Sequence, residues 1–563
     1  MVAQLRIRLV ESGRAFAATA RNPSLRRAQL SFGAAWTAEW AFTVAIGVVA
    51  FRNGGATAVG IVGFVRLGPA AVLAPLGTAL ADRFPRDRVL VWSCVVRAAA
   101  LVGVAGTLAA DGSMVAVYAL AAIATAAITM FHPAHSALLP GLCRTPLELT
   151  SANVVRGLVD SVSTLLGSLL AALLLDVARA EAVFTTTAAL SLVAGLLLVG
   201  LSYERPPRGA PAPLRRLAHE TVEGFRALAR YRDAGLLIGI GLVQTLTRGF
   251  LNVLLVVTAI QLLGIGAPGV GLLMAAVGGG AVAGSLGASM LVTGRRLAAV
   301  EGAGVALWGL PLTLTGAFPD QLAVLALMCV VGIGNALVDI GLYTLPPRLV
   351  PEGLLARVFG ALESLIALSV AIGSIVTPLA IDLLGVRGAL VVLGLVAPVT
   401  VVLVWRQLRT IDASIAHRDR EIELLSSVRI FRPLPMPAID NLARHVERAS
   451  FAAGQCVFRE GEAGDRFYVI ERGEADVIGD GRLLRTIGPG DGFGEIALLK
   501  DTRRTATVRA RTGLELCTLE RRHFVAAVTG YPSSAHEADA LVVERLDRST
   551  LTSRSPGRRV CSR

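Results

Sequence analysis

Up to about residue 410 this 563-residue chain is a succession of apolar runs, each about twenty residues long and so able to cross a bilayer as a helix. They fall near 29–51, 55–81, 89–110, 114–138, 149–177, 182–201, 235–263, 270–292, 297–318, 322–345, 358–384 and 389–408, about twelve in all. Mean hydropathy is +0.64 over the whole chain, yet the last ~150 residues have the composition of a soluble globular domain. The pattern therefore predicts an α-helical polytopic membrane protein with an extramembrane domain at its C-terminal end. Seven segments follow: 1–28, an N-terminal stretch; 29–202, six spans; 203–234, a Pro- and Arg-rich connection; 235–409, six more spans; 410–423, a linker; 424–531, a globular domain; 532–563, a further helix and a basic tail.

Three segments carry a more specific signal. They are GTALADRFPRDRVL (77–90), FHPAHSALLPGL (131–142) and PPRLVPEGLLARVFGALESL (346–365). With two sets of six spans around a central loop, these resemble the major facilitator superfamily, and within it the branch of siderophore and macrolide exporters. The resemblance implies a secondary transporter, an exporter of a small amphipathic organic molecule. It also implies a latch between helix bundles, in which Asp82 caps a helix dipole or pairs with a cation while Arg83, Arg86 and Arg88 hold the cytoplasmic face. The chain departs from the family pattern at Thr78 and Pro85, where glycines are usual. Its fifth span, LVDSVSTLLGSLLAALLL (158–175), lacks the proline of the proton-antiporter motif.

Arginine crowds the N-terminus (Arg6, Arg8, Arg14, Arg21, Arg26, Arg27), the 77–90 loop, the central loop and Arg295/Arg296. The positive-inside bias then predicts a multi-pass protein of the cell membrane with both termini in the cytoplasm. Ionisable residues within apolar spans are costly and mark cavities or gates. Glu39, Arg66, Arg248 and Asp339 are such candidates, beside Asp82 and Arg83 of the loop. Glu39 stands between Trp36 and Trp40, a place for a cation or proton. For Glu39 and Asp339 a structural pair between helices is equally open; for Arg97, Asp160 and Glu363 it is the reading adopted. His132 and His135 are expected at a helix end and are not read as ligands.

The C-terminal domain carries the sharpest motif. EGEAGDRFYVIERGEADVI (460–478) alternates apolar runs with glycine turns, IGPGDGFGE (487–495) ends in a turn, and FGEIALLKDTRRTATV (493–508) follows. The last run resembles the phosphate-binding cassette of cyclic-nucleotide-binding domains, whose ligand is a monoanion with a free 2′-hydroxyl; such a pocket needs a cation, exposed backbone N–H groups and a hydroxyl acceptor. A short helix opening at Gly494 offers N–H groups, Arg504 offers a fork for phosphate oxygens, and Glu495 offers an acceptor. Residues 424–531 resemble the cyclic-nucleotide-binding domains, which implies a jelly roll of β-strands with flanking helices. It also implies ligand contacts from Phe493, Gly494, Glu495, Ile496, Ala497, Arg504, Thr505 and Ala506. Arg503 replaces the usual proline and Thr505 the usual alanine, so the choice between cAMP and cGMP stays open. A lid helix is expected over 534–547.

Other classes are disfavoured. The net charge of +13 is read as membrane topology plus the 548–563 tail, and too little chain follows 531 for a DNA-reading helix-turn-helix, so no nucleic-acid partner is expected. The six cysteines show no metal-ligand or disulfide spacing, and the N-terminus shows no cleavable signal peptide. Lys500 is the only lysine and no P-loop surrounds it, so transport is expected to be driven by a gradient or facilitated. No catalytic constellation stands out, and the chain is not read as an enzyme. The expectation is thus a transporter regulated by a cyclic nucleotide, with no cofactor, coupled through a short charged helix, IDASIAHRDREIELL (411–425). The alternative is a membrane-tethered nucleotide sensor without transport.

Overall fold

The computed structural model describes residues 21–83, 85–143, 146–201, 214–288, 296–434, 436–530, 534 and 536–543. Two compact units result, Met1–Asp412 and Ala413–Arg563.

The first unit is helical. Its elements are α1 (Pro23–Arg83), α2 (Arg86–Ala109), α3 (Met114–Leu142), α4 (Pro146–Val177), α5 (Ala180–Leu198), α6 (Leu214–Arg230), α7 (Arg232–Val257), α8 (Gly266–Ala288), α9 (Leu297–Ala317), α10 (Gln321–Thr344), the short α11 (Pro346–Leu349) and α12 (Glu352–Ser427). A single π-turn, Thr258–Leu262, ends α7. Among the described residues ten helices are long and apolar enough to cross a membrane. The sequence gives about twelve runs because α1 and α12 each take in two of them. At 61 residues α1 would be about 90 Å long if straight, some three times the hydrocarbon thickness. It breaks instead at Gly54 and Gly55, and α12 breaks at Gly385. Gly55 (φ +63°) and Gly385 (φ +70°) adopt the left-handed conformation that glycine takes without steric cost.

Small residues let the helices approach closely, as expected where lipid removes the hydrophobic drive between them. A Cβ on Gly63 of α1 would lie 2.8 Å from the Ser374 Cβ of α12, and one on Gly60 would lie 2.6 Å from Pro378. These contacts join the first six predicted spans to the last six. Phe42, Val253, Leu254 and Phe184 are buried in the main apolar cluster of this unit.

Two expectations need correction. The 203–234 connection contains α6, an amphipathic helix whose polar residues hid it from a search for apolar runs. Its Glu223 pairs with Arg357 of α12. The predicted linker helix is not separate: residues 411–425 continue α12 without a further break, to Ser427.

The second unit holds the end of α12, α13 (Met436–Ala443) and eight strands. These are β1 (Glu447–Phe451), β2 (Cys456–Phe458), β3 (Arg466–Arg472), β4 (Ala475–Gly479), β5 (Arg482–Ile487), β6 (Gly492–Phe493), β7 (Thr507–Ala510) and β8 (Leu514–Glu520). They form two antiparallel four-stranded sheets, ordered β1-β8-β3-β6 and β2-β7-β4-β5. Between β6 and β7 lies α14 (Glu495–Leu499), and α15 (Arg521–Thr529) follows β8. Alternation along β3 divides the core. Phe467 and Val469 pack against helices with Phe431 and Phe524, while Tyr468 and Ile470 face the roll interior with Phe458, Phe493 and Leu516. Asp480 and Gly481, both at positive φ, make the two-residue turn that joins β4 to β5.

Candidate functional site

The cassette begins where β6 stops. Gly494 at φ +91° turns the chain and caps α14. Phe493 stacks on Tyr468 at 5.1 Å, which fixes the strand before the turn. Glu495 opens α14 and is 1% exposed, while Ala497 and Leu498 of the same turn are buried and Ile496 is half-buried.

Arg504 returns to this turn from the other side. Its Nη1 donates to the Gly494 carbonyl at 2.9 Å and its Nη2 to the Arg466 carbonyl at 2.8 Å. The guanidinium lies over Phe458, 4.2 Å from the ring centre, and Asp465 Oδ1 stands 3.9 Å from Nη2. Glycine at 464 and 494 leaves the room: a Cβ on Gly494 would sit 2.6 Å from Nη1, and one on Gly464 3.4 Å from the guanidinium carbon. Arg504 is 3% exposed, and burial pushes its guanidinium below the ordinary arginine range while Tyr468, Asp465, Glu495 and Glu462 oppose the shift. Its Nε is buried without a hydrogen-bond partner among the described residues. A buried cation with a spare N–H, beside a glycine turn, fits a phosphate monoanion. Thr505 is exposed and Ala506 half-buried next to it, and Arg503 turns outward to donate to the Gly461 carbonyl at 2.9 Å.

Of the expected lid helix, residues 534 and 536–543 are described, and 544–547 lie outside the described residues. Ser534 donates to the Ile430 carbonyl at 2.8 Å, Glu537 pairs with Arg429, and Asp539 stands 3.4 Å from Lys500. The segment is thus tied to the residues after α12 and to the end of the cassette helix.

In the first unit the candidates separate into two groups. Glu39 of α1 is the shared acceptor of two arginines, Arg66 at 3.1 Å and Arg97 at 2.7 Å. Arg66 also donates to Thr125 (3.0 Å) and Thr43 (3.2 Å), and both guanidinium groups lie over Phe42, 4.4 and 5.5 Å from its centre. Glu39 is therefore the shared acceptor of a clamp that joins the two parts of α1, on either side of its glycine break, to α2, and not an isolated carboxylate. Asp82 and Arg83 have side chains outside the described residues.

The second group is a set of charged and polar residues that α4, α7, α10 and α12 bring together. Asp160 of α4 lies in the field of Arg248 and Arg156 and hydrogen-bonds Trp36. Asp339, near the C-terminal end of α10 and exposed, accepts from Asn335 at 3.0 Å and lies in the field of Asp160 and Arg248. Arg248 sits over Trp40 at 5.3 Å. Arg156 donates to Ser136 (2.7 Å) and faces His132 Nε2 (3.2 Å), and Tyr343 hydrogen-bonds Glu363 at 3.4 Å. Asp160 and Glu363, read from sequence as structural, belong to this group through Arg156. His132 and His135 are not at a helix end: both lie inside α3, and His135 is buried against the Ala28 carbonyl at 3.1 Å. Arg156 and the fully buried Glu301 were missed, although the rule that picked out Glu39 applies to both.

Residues 30–361 and 236–458 match the family profile "Major Facilitator Superfamily", and residues 448–531 match "Cyclic nucleotide-binding domain". The cAMP-dependent protein kinase regulatory subunit of Schizosaccharomyces pombe is 38% identical over 112 residues, 19% of this chain and 27% of that protein. The cGMP-dependent protein kinase of Plasmodium berghei is 34% identical over 127 residues, 22% of this chain and 15% of that protein. The solved regulatory domain of Toxoplasma gondii PKA with cAMP is 27% identical, with a TM-score of 0.22, over 24% of this chain and 52% of that one. The chain thus spans less than a third of the length of these two relatives.

Proposed function

Since this chain belongs to the Major Facilitator Superfamily and ends in a cyclic nucleotide-binding domain, we propose that it is a secondary transporter whose activity is set by cAMP or cGMP. The observation that carries the reading is Arg504. A guanidinium held by two backbone carbonyls, stacked on Phe458 and left with a spare buried N–H is built to receive an anion. Glu495, buried one residue after the glycine turn, is the acceptor for the ribose hydroxyl.

In this reading the glycine breaks in α1 and α12 each divide two crossings, giving twelve in two sets of six, with both termini in the cytoplasm of a cell-membrane protein. Trp36 and Trp40 offer apolar faces beside the polar Asp160, Arg248 and Asp339, a combination suited to a small amphipathic organic cargo, exported. No chemical step is assigned to the chain.

The test is transport of a panel of amphipathic fluorescent dyes by inside-out vesicles carrying the chain, with and without nucleotide. A change within about 5- to 150-fold, the usual range of allosteric coupling, is expected. Equal rates at saturating nucleotide would remove the regulatory claim. Nucleotide binding with no transport of any dye would favour the tethered sensor.

A further inference from the structure

Asp412, the last residue of the first unit, is on α12 and 6% exposed. Its Oδ1 accepts the Ala298 N–H at 2.8 Å and its Oδ2 the Ala299 N–H at 2.9 Å. Those N–H groups belong to the first turn of α9, where no partner exists within the helix. The residue before α9, Arg296, provides no side-chain cap. A carboxylate 114 residues away does that work, with both of its oxygens, and it also meets the positive end of the helix dipole.

A second carboxyl lies close to the clamp. Glu301, one turn into α9, is 0% exposed, and its carboxyl oxygens have no hydrogen-bond partner among the described residues. Asp412 is its charged neighbour, and Gly341 of α10 closes the other side, where a Cβ would come 2.5 Å from Glu301 Oε2. Two N–H groups hold Asp412 in place, with the buried Glu301 carboxyl close by. Leu408 and Ile411, both buried, flank it on α12.

Beyond Asp412 the same helix reaches Ser427, and Leu425 is buried in the second unit's core beside Phe431, Phe467 and Leu498. Leu498 is on α14, three residues after Glu495. One helix thus has a polar anchor in the first unit and an apolar anchor beside the cassette.

We propose that Asp412 is the point at which nucleotide occupancy acts on the transporter half, through a displacement of α12 that alters its clamp on the first turn of α9. The inference rests on the reading above that the second unit takes a cyclic nucleotide. Asp412 is a positioning residue: it touches neither nucleotide nor cargo.

Hydrogen exchange of the full chain in lipid nanodiscs, read on peptides that contain Ala298 and Ala299, needs no known cargo. Saturating cAMP or cGMP is expected to change exchange at these two amides by about fivefold or more, the scale of a lost or gained helix cap. In Asp412→Asn, which keeps one acceptor oxygen, exchange there is expected to be fast and independent of nucleotide, with nucleotide affinity within about twofold of the parent. Asp320→Asn, which loosens the equivalent cap of α10 at Ala323 (2.9 Å), is expected to leave the response at Ala298 and Ala299 intact. Nucleotide bound with unaltered exchange at both amides in the parent chain would overturn the inference alone. Failure of both nucleotides to bind would overturn the underlying reading, and the inference with it.

Discussion

The Arg504 guanidinium and the Gly494 carbonyl, ten residues apart, are joined by a 2.9 Å hydrogen bond that ties the two ends of the cassette together. The bond orients the guanidinium before any ligand arrives, so its ordering entropy is already spent within the fold.

Gly494→Ala is expected to weaken nucleotide binding by about tenfold or more. The new Cβ would meet Arg504 Nη1 at 2.6 Å, and φ +91° costs a non-glycine residue about 1–3 kcal/mol. Titration of the variant beside the parent, with a thermal melt to show that the domain folds, checks this.

Arg504→Lys keeps the charge and is still expected to lose most of the affinity. An ammonium cannot hold two carbonyls and a phosphate through a planar fork, nor stack on Phe458 as a guanidinium does. Affinity within about threefold of the parent would show that point charge suffices, against the geometry of the fork.

Glu39→Gln is expected to destabilise the first unit by about 3–5 kcal/mol, because two buried guanidinium groups lose their shared counter-charge. The readout is a lower melting temperature in nanodiscs. An unaltered melt would show that Arg66 and Arg97 find other partners.

Burial, with Glu471 adding to it, pushes the Cys517 thiol up to about 12. Only the thiolate attacks, so at pH 8 roughly one molecule in ten thousand is reactive at this site. Iodoacetamide is therefore expected to spare Cys517 until the domain unfolds, which mass spectrometry of alkylated peptides reads directly. Rapid labelling in the folded protein would contradict the burial of Cys517 in β8, where it is 2% exposed.

Local sequence reveals some of this and hides the rest for identifiable reasons. The cassette is legible because Glu495 and Arg504 sit at a fixed spacing inside a glycine-bounded turn. Runs of apolar residues mark spans well but are blind to two runs sharing one helix, so α1 and α12, each continuing across its glycine break, leave ten long apolar helices among the described residues for about twelve runs. Amphipathic α6 lacks such a run altogether. The Glu39 clamp and the Asp412 cap depend on tertiary proximity: Glu39 meets arginines from two other segments, and Asp412 meets amides more than a hundred residues earlier. No periodicity within one segment encodes such a meeting.

The most direct measurement is a calorimetric titration of the purified full-length chain with cAMP and then cGMP, beside Arg504→Ala. The account predicts saturable binding of one nucleotide to the parent, at a dissociation constant on the order of micromolar or about −8 kcal/mol, and its loss in the variant. No heat from either nucleotide, or equal binding by the variant, would contradict it.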